Sequence, residues 1–450
     1  MNDGAKPTGH RRRFMNVAGA GVAFQAGSAA VDSGTIMSAL VWQLSGSSLL
    51  VGSVTAILRF GWLFPQLIVG YLAGRGGSSM RYYMIGAYGR AMAMALMALV
   101  LWMAGPAGPI GPGSGGAGAA ADMAGAMAGA GPRGWLTAAV MGLWVTYAFV
   151  SGIVGVPYND IVARAVPSHL RSRLLATRFF GGGLLALGVA ALADRMVATL
   201  PFPTSYAAII AMAAALMFLS ATVFTAMGEP EAPCSTRPPR PSFAAYLREG
   251  IGVFRTDARF RAFVIAQWFG GAVLMAAPFY VVAVSRAGVG LEHVALLLGA
   301  QTAGALLSNL LWGWWGDHLG KASLLRAIAF GRIWPALAML LFAPQAPLML
   351  FIALFFLLGA LANGLTIAVI GFLMEISPED DRPAWSGYFN AMTAPAFLLP
   401  LLAGVIAAGG ALWLVFALSA GAALAQFLIL MRIRTGEVTG EVTGGASRSE

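Results

Sequence analysis

Residues 313–321 read GWWGDHLGK, so three glycines, one aspartate and one lysine interrupt a chain that is strongly apolar on both sides. Glycines let two helices turn and pack closely, and a carboxylate is favourable at the N-terminus of a neighbouring helix. The next apolar stretch contains Gly331-Arg332. This pattern predicts a tight, charged loop between two long apolar helices.

A similar pattern occurs in the first half of the chain. Gly70 precedes the glycine-rich stretch 74–77, and the apolar segment that follows contains Arg90. The spacing from Gly70 to Arg90 exceeds that from Gly313 to Arg332 by one residue. The two halves are therefore predicted to be structural repeats.

The composition predicts an all-α, polytopic membrane protein. Of the 450 residues, 58% are hydrophobic and only 10% are charged, which excludes a water-soluble globule and an intrinsically disordered chain. The apolar runs are too long and continuous for the roughly ten-residue alternation of a membrane β-barrel. Arginines in cytoplasmic loops explain the net charge of +10, so no nucleic-acid partner is expected.

Stretches of about 20 apolar residues, long enough to cross a bilayer, recur along the chain. The twelve predicted spans are 14–42, 49–73, 81–104, 134–157, 175–198, 204–227, 260–284, 291–315, 323–343, 347–374, 385–409 and 411–432. The predicted domains are an N-terminal tail (1–13), an N-terminal six-helix bundle (14–227) with a low-complexity external loop (105–133), a cytoplasmic linker (228–257), a C-terminal six-helix bundle (258–434) and a cytoplasmic tail (435–450).

The distribution of cations predicts that both termini lie in the cytoplasm. Clusters at 10–13 and 237–261 fall on one side of the predicted membrane, whereas the other side carries only Arg133, Arg195 and Arg286. Lysine occurs only twice among the 28 cations, an arginine bias that indicates a GC-rich genome and hence a bacterial inner membrane. A twin-arginine export signal is the alternative interpretation of the first cluster, but its removal would break the repeat.

Residues 313–321 resemble the GxxxDxxGR/K signature of the major facilitator superfamily, which lies between the second and third helices of a six-helix half. The resemblance covers the chain from about residue 14 to 432. It implies two six-helix bundles that rock around a central site. In the first half the signature is degraded, since Gly74 stands where the superfamily has an acidic residue.

The resemblance further implies a conformational latch in the second half, in which Asp317 and Lys321 stabilise one of two states. Charges that only set membrane topology are the alternative interpretation. The residues assigned to the latch are Gly313, Asp317, Gly320, Lys321, Glu375 and Arg382.

A carboxylate deep in a membrane is costly and is therefore a functional candidate. Asp32 is the only acidic residue deep in a predicted span, and Gln25, Ser28 and Thr35 share its helical face. Arg59 on the second span lies at a similar depth, about 15 Å below the outer helix ends. An ion pair between Asp32 and Arg59 is therefore geometrically possible.

This pair has three interpretations. Asp32 could couple proton movement to transport by releasing Arg59, Arg59 could bind an anionic substrate, or the two could form a static pair that holds two helices. Trp62 and Gln66 share the helical face of Arg59.

The resemblance implies that helices one, four, seven and ten line a central cavity. A wall of aromatic and amide side chains with few charges suits an amphipathic or weakly charged solute. For each aromatic residue, helix packing is the alternative interpretation, and Arg90 and Arg332 are expected to be structural, with side chains that snorkel to the interface. The candidates on these helices are Trp144, Tyr147, Ser151, Gln267, Trp268, Asn363 and Thr366, with Gln301 and Ser308 of helix eight as weaker ones.

The predicted function is secondary transport of a small solute by alternating access, coupled to protons and carried out by a monomer in the lipid bilayer. No cofactor, metal or enzymatic activity is expected, because the sequence has no phosphate-binding GxxxxGK[ST] loop, no metal-ligand spacing and no nucleophile with a base. The alternative is a superfamily member that does not transport and serves as an assembly factor or receptor of a membrane complex.

Overall fold

A computed structural model describes residues 7–73, 78–105, 134–166, 168–230, 242–342, 347–377 and 382–433. Within these ranges the chain is helical and contains no β-strand. The side chains of some residues inside the ranges, Asp317 and Arg382 among them, also lie outside the description.

The N-terminal half is an up-and-down helical bundle. Its helices are α1 (Pro7–Ala30), α2 (Ile36–Ser45), α3 (Ser48–Ala73), α4 (Ser79–Met103), α5 (Gly134–Ala165), α6 (Ser168–Thr199) and α7 (Thr204–Thr225).

The C-terminal half follows the helix α8 (Phe243–Thr256), which lies in the predicted linker. Its helices are α9 (Ala258–Leu274), α10 (Phe279–Arg286), α11 (Val294–His318), α12 (Lys321–Gly331), α13 (Ile333–Phe342), α14 (Leu348–Ile376), α15 (Arg382–Thr393), α16 (Leu399–Ala408) and α17 (Leu412–Arg432), with 3-10 turns at Leu291–His293 and Ala394–Leu398.

Local sequence sets several helix ends. Ser78 Oγ accepts a hydrogen bond from the Arg81 N–H at the start of α4, and Asp257 Oδ1 accepts one of 2.7 Å from the Phe260 N–H at the start of α9. Of the stretch 313–321, only Leu319 and Gly320 are non-helical, and Gly320 has a φ of 85° that glycine adopts without steric cost. The predicted loop is thus a very short turn between α11 and α12.

The α-helix is interrupted within four of the predicted spans, namely the first, seventh, ninth and eleventh. The first, 14–42, consists of α1 and α2 with a turn at residues 31–35, so the prediction of one continuous helix is wrong there. The seventh is interrupted just before Pro278, whose ring cannot continue the hydrogen-bond ladder. In the described residues, eleven helical segments are long and apolar enough to cross a membrane, and α2 is a shorter apolar helix.

The buried core shows how the two halves meet. Because the number of spans is even, both described ends of the chain lie on the same face of the bundle. We call this face the terminal face and the other one the opposite face. Toward the opposite face one continuous core contains Met37 of the first half and Phe279 and Phe416 of the second. Toward the terminal face the cores are separate, one around Phe224 and the other around Phe263. Among the described residues, the halves therefore share a core only on the opposite side.

Close contacts between the halves lie on that same side. A Cβ on Gly52 of α3 would collide with the Pro400 carbonyl oxygen of α16, and a Cβ on Gly404 would lie 2.9 Å from the Leu49 Cα. Glycine therefore permits the two helices to cross at this distance.

Candidate functional site

A cavity of about 300 Å³ lies between the two halves at the depth of the break in the first span. Among the described residues, its charged lining residues are Asp32 and Arg59. The other polar lining residues are Gln25, Ser28, Gln301, Thr302, Asn309, Asn363 and Thr366, and the larger apolar ones are Phe24, Phe179, Leu298 and Leu306.

Asp32 lies in the turn that interrupts the first span. Its Oδ1 accepts hydrogen bonds from the Gly34 N–H at 3.0 Å and from Thr35 Oγ1 at 2.9 Å, while its carbonyl oxygen accepts the Met37 N–H at 3.0 Å. Short polar side chains compete with the helix ladder for backbone groups in this way. Asp32 therefore caps the break and faces the cavity from it.

The prediction that Gln25, Ser28, Asp32 and Thr35 share one helical face is wrong because α1 ends at Ala30. Gln25 and Ser28 reach the cavity from α1, and Asp32 reaches it from the turn. Thr35 is buried and acts as a hydrogen-bond donor to Asp32.

The break in the first span lies beside the break in the seventh. A Cβ on Gly34 would be 3.8 Å from the carbonyl oxygen of Ala277, which precedes Pro278. Two interrupted helices, one from each half, therefore meet next to the cavity.

Arg59 extends from α3 into the cavity. Its guanidinium carbon lies 5.9 Å from the centre of the Phe397 ring in the other half, and it interacts electrostatically with Asp32. The ion pairs within 4.0 Å in the described part of the chain involve Arg164 with Asp160 and Glu229, and a histidine with its neighbour in a loop. Asp32 and Arg59 thus share the cavity without forming a direct ion pair in this state.

The C-terminal half contributes neutral hydrogen-bonding groups to the cavity. Asn363 Nδ2 donates to Asn309 Oδ1 and, at 3.2 Å, to the Ala305 carbonyl oxygen. Gln301, Thr302 and the two asparagines lie on α11 and α14, which cross closely. This wall can hydrogen-bond a solute without adding charge.

Two further arginines lie behind the aromatic wall of the N-terminal half. Arg90 is buried, and its guanidinium carbon lies 4.0 Å from the centre of the Phe24 ring. Arg178 donates to the Tyr158 hydroxyl at 3.1 Å and lies over the same tyrosine ring. Because Phe24 and Phe179 also line the cavity, both cations lie close to it.

Arg332, the repeat counterpart of Arg90, lies in a different environment. It is 7% exposed and donates to Gln426 Oε1 at 3.0 Å and to the Gly270 carbonyl oxygen at 3.1 Å. Arg90 is only 4% exposed. Both arginines lie in the middle of their spans, so the expectation that they snorkel to the interface is wrong.

Several predicted candidates are not in the cavity lining. Trp144 is buried, donates to the Val54 carbonyl oxygen at 2.9 Å and stacks on Tyr147, so the helix-packing interpretation describes it better. Gln267 lies beside Gly270 in the second half, and Trp268 donates to the Met392 carbonyl oxygen at 2.7 Å. The other predicted residues outside the lining are Trp62, Gln66, Ser151 and Ser308.

The cavity is lined by spans one, two, five, eight and ten, whereas spans four and seven, which the resemblance implied, contribute nothing described to it. Sequence reasoning missed Phe24, Phe179, Thr302 and Asn309. Asn309 had a usable signal, since it is an amide inside an apolar span. The phenylalanines had none, because phenylalanine is common on lipid-facing and core surfaces alike.

The predicted latch stays a prediction. The side chains of Asp317 and Arg382 lie outside the description, and so do residues 74–77 of the first-half counterpart. Lys321 packs against α14, where a Cβ on Gly371 would lie 3.0 Å from its Cδ, and Glu375 is exposed one turn further on.

A hydrogen-bonded ion network lies on the terminal face of the N-terminal half. Arg164 pairs with Asp160 at 2.7 Å and with Glu229 at 3.4 Å, and Ser78 donates to Glu229. Burial alone would raise the pKa of Glu229, but hydrogen bonds from Ser78, the Met80 N–H and Arg164 together hold it below its ordinary value. The network ties the start of α4 to the ends of α5 and α7.

A larger groove of about 1180 Å³ lies on the outer surface between α4 and α7. Its described lining is almost entirely apolar and contains no charged residue. Its described polar groups, among them the hydroxyls of Tyr88 and Thr222, are few and uncharged, so the central cavity is the better candidate for a solute site.

No protein-family model and no curated protein matches the sequence. Solved structures match its fold. A variant of the nucleoside transporter NupG aligns with a TM-score of 0.68 at 12% identity, covering 93% of this chain and 99% of that one. A D-xylose-proton symporter aligns with a TM-score of 0.65 at 14% identity, covering 94% and 97%. A peptide transporter, POT, aligns with a TM-score of 0.64 at 14% identity, covering 96% and 95%.

The three similar structures are described as transporters and none as an enzyme. Their alignments cover nearly the whole of each chain. The predicted all-helical, two-bundle architecture is confirmed, and the fold is that of major facilitator transporters.

Proposed function

We propose that this protein, which has the major facilitator fold, is a secondary transporter that moves a small, amphipathic or weakly charged solute by alternating access. The observation that carries the proposal is the position of Asp32, a carboxylate in a helix break inside a cavity between two bundles. A carboxylate at that depth is costly, and apart from capping the turn a purely structural bundle has little reason to keep it there. Interrupted helices around a central cavity are typical of transporter binding sites.

The uneven core supports alternating access. The two halves share one core toward the opposite face and have separate cores toward the terminal face. A rocking motion that separates Gly52 from Gly404 would open the cavity toward the opposite face and close it toward the terminal face. Each bundle would stay intact during this motion. The structure is thus consistent with a carrier closed on its opposite side.

The relation between Asp32 and Arg59 supports proton coupling. When Asp32 is ionised, it attracts Arg59 electrostatically, and protonation removes that attraction. Arg59 would then be free to interact with a solute, so binding of a proton and of a solute would be linked. One structural neighbour is named as a proton symporter, which supports this mode of coupling.

The proposed location is a bacterial inner membrane, where the protein works as a monomer. The terminal face, which carries Arg164, Arg255 and Arg261, would face the cytoplasm by the positive-inside rule. The closed opposite face would then be the external side.

The test is transport into proteoliposomes with and without a pH gradient, for solutes that raise the melting temperature of the purified protein. We expect Asp32→Asn to abolish uptake driven by the gradient while retaining downhill exchange. Asp194→Asn removes the same charge from an exposed position on α6 and should behave as the unmodified protein. Unchanged gradient-driven uptake by Asp32→Asn would disprove the coupling role.

A second outcome addresses transport itself. If no solute in a broad panel stabilises the protein and none is moved, the result would favour the non-transporting assembly factor or receptor instead.

A further inference from the structure

The interior of the N-terminal half contains more positive than negative charge. Arg59, Arg90 and Arg178 lie at or beside the cavity, and Asp32 is the carboxylate in its described lining. Removing a cation from water is costly unless hydrogen bonds or an opposite charge compensate. The excess of cations therefore calls for a compensating group.

The hydrogen bonding of these arginines is incomplete. In the part of the chain that the structure describes, the Nε atoms of Arg59, Arg90 and Arg178 are buried without a hydrogen-bond acceptor. By contrast, Arg332 in the other half is not among the buried nitrogens that lack a partner. Buried polar groups in proteins are normally paired, so unpartnered donors on three cations at or beside the cavity point to an acceptor that binds there.

The cavity wall connects these cations to a bound solute. Phe24 separates Arg90 from the cavity, with the guanidinium 4.0 Å from the ring centre, and Phe179 lies next to Arg178 in the chain. Aromatic rings keep water away from the cations and leave their field acting across a region of low dielectric constant. The N-terminal wall is therefore positive and apolar at the same time.

The cavity wall formed by the C-terminal half indicates which other groups the solute carries. Leu298 and Leu306 are apolar, whereas Gln301, Asn309 and Asn363 offer neutral donors and acceptors. A volume of about 300 Å³ fits a small organic molecule.

We infer that the cavity binds a small amphipathic organic anion, a carboxylate whose oxygens pair with Arg59 while Arg90 and Arg178 supply positive potential from behind Phe24 and Phe179. This inference rests on the proposed transport function and names its substrate class. Arg59 is the residue in direct contact with the anion, and Arg90 and Arg178 are positioning residues that act through the field.

The charge balance specifies the transport step. One proton binds to the Asp32 carboxylate and makes it neutral, and Arg59, released from Asp32, pairs with one substrate carboxylate. On the other side of the membrane the anion leaves and Asp32 returns its proton to water. The cycle moves one proton and one negative charge together and is electroneutral.

The binding test uses matched acid, amide and amine forms of one skeleton: benzoate, benzamide and benzylamine, and hexanoate, hexanamide and hexylamine. We expect an acid to give the largest rise in melting temperature of the purified full-length protein, more at pH 5.5 than at pH 8. A larger rise with an amide or an amine, or no rise with any acid, would overturn the inference.

Substitutions distinguish an arginine that contacts the anion directly from one that acts on it only through its electric field. Arg59→Gln should weaken binding of the stabilising acid by roughly tenfold or more, as for a lost charge-assisted hydrogen bond. Arg90→Gln should weaken it by a smaller factor and Arg90→Lys should restore it, because lysine keeps the charge. Arg195→Gln, which removes an exposed charge near the end of α6, is the control and should have no effect. Equal binding by Arg90→Gln and Arg90→Lys would remove Arg90 from the site.

Uptake distinguishes this inference from the proposed function. Proton-driven uptake of the acid that exceeds its uptake by protein-free liposomes, and that does not change when valinomycin and potassium set the membrane potential, supports both. If the gradient drives uptake of only an amide or an amine, the proposed transport function stands and the inference of an anionic substrate is overturned. If an acid binds but no assay detects flux, the inference of an anion-binding site stands and the proposed transport function is overturned.

Discussion

Arg90 and Arg332 occupy corresponding positions in the two halves, yet their surroundings differ. Arg332 donates to Gln426 and to the Gly270 carbonyl oxygen, so it joins the third, first and last helices of its bundle. Arg90 lies over the face of Phe24, and its Nε has no acceptor in the described residues.

The difference indicates that the buried arginines of the two halves have different roles. The C-terminal half uses its arginine to hold helices together and presents neutral amides to the cavity. The N-terminal half leaves its cations only partly paired beside the cavity that contains Asp32. A repeat can thus keep a residue while its physical role changes, because the role depends on what packs around it.

The largest effect should come from removing the structural arginine. Arg332→Leu loses two charge-assisted hydrogen bonds, to the Gln426 Oε1 and to the Gly270 carbonyl oxygen, each worth about 1.5–3 kcal/mol, and it leaves the buried Gln426 Oε1 without this donor. Arg90→Leu removes mainly a desolvated cation–π contact, worth about 2 kcal/mol. Thermal unfolding in detergent should therefore rank Arg332→Leu as the less stable variant.

The double variant Arg332→Leu with Gln426→Leu provides the control for that ranking. It removes the unpartnered amide, so it should recover part of the stability lost by Arg332→Leu. A greater loss of stability in Arg90→Leu than in Arg332→Leu would contradict the comparison between the halves.

The next effect concerns the contact that the two halves share. Gly404→Val should push α16 away from α3 and disfavour the state closed on the opposite side, since overpacking costs about 1–3 kcal/mol. A cysteine introduced at Ser28, with Cys234 replaced by serine, should then react roughly fivefold or more faster with an impermeant maleimide added from that side. Gly421→Val, where an added Cβ meets open space, is the matched control. Equal labelling of both variants would argue against this crossing as the closed gate.

A smaller effect tests whether the amides of the C-terminal half bind the solute without coupling it to protons. Asn363→Leu removes a donor to Asn309 and should raise KM by roughly tenfold while dependence on the pH gradient persists. Ser308→Ala removes a hydrogen bond to the same Ala305 carbonyl from outside the cavity lining and should leave KM unchanged. Loss of gradient dependence in Asn363→Leu would mean that coupling is shared between the halves.

The smallest effect concerns the ion network on the terminal face of the N-terminal half. The pKa of Glu229 lies below its ordinary value of 4.5, so the ionised group stabilises the fold at neutral pH, and this contribution is lost as the pH falls below that value. Glu229→Gln should lower stability by about 1 kcal/mol or less at pH 7, and the difference should shrink as the pH falls through the lowered pKa of Glu229. Thermal unfolding across this range checks it, with the exposed Glu249→Gln as control. A stability difference that persists at low pH would contradict the assignment.

Several elements of the site could be predicted because their signals are local. Asp32, Arg59, Gln25 and Ser28 were identified as charged or polar groups in apolar spans, and all four line the cavity. Trp144 and Tyr147 gave the same kind of signal, but they pack in the core. The sequence reveals that a polar or aromatic residue lies within a span. The direction in which its side chain points depends on the rotation of the helix against its neighbours.

Arg178 illustrates the limit most clearly. It lies near the start of the predicted span 175–198 and was not among the predicted site residues, yet it donates to Tyr158 and lies beside the cavity. The sequence contains no indication of this, since Tyr158 lies on another helix.

By itself, the sequence determined the membrane class, the helical fold and the repeat, and it identified Asp32 as a candidate site residue, because hydropathy, glycine spacing and the cost of a buried carboxylate are properties of single segments. Tertiary structure alone decided that the first span breaks at Asp32, that spans five and eight line the cavity and that Arg90 and Arg332 differ. These features depend on contacts between segments far apart in the chain, where small shifts in helix rotation decide which side chain meets which.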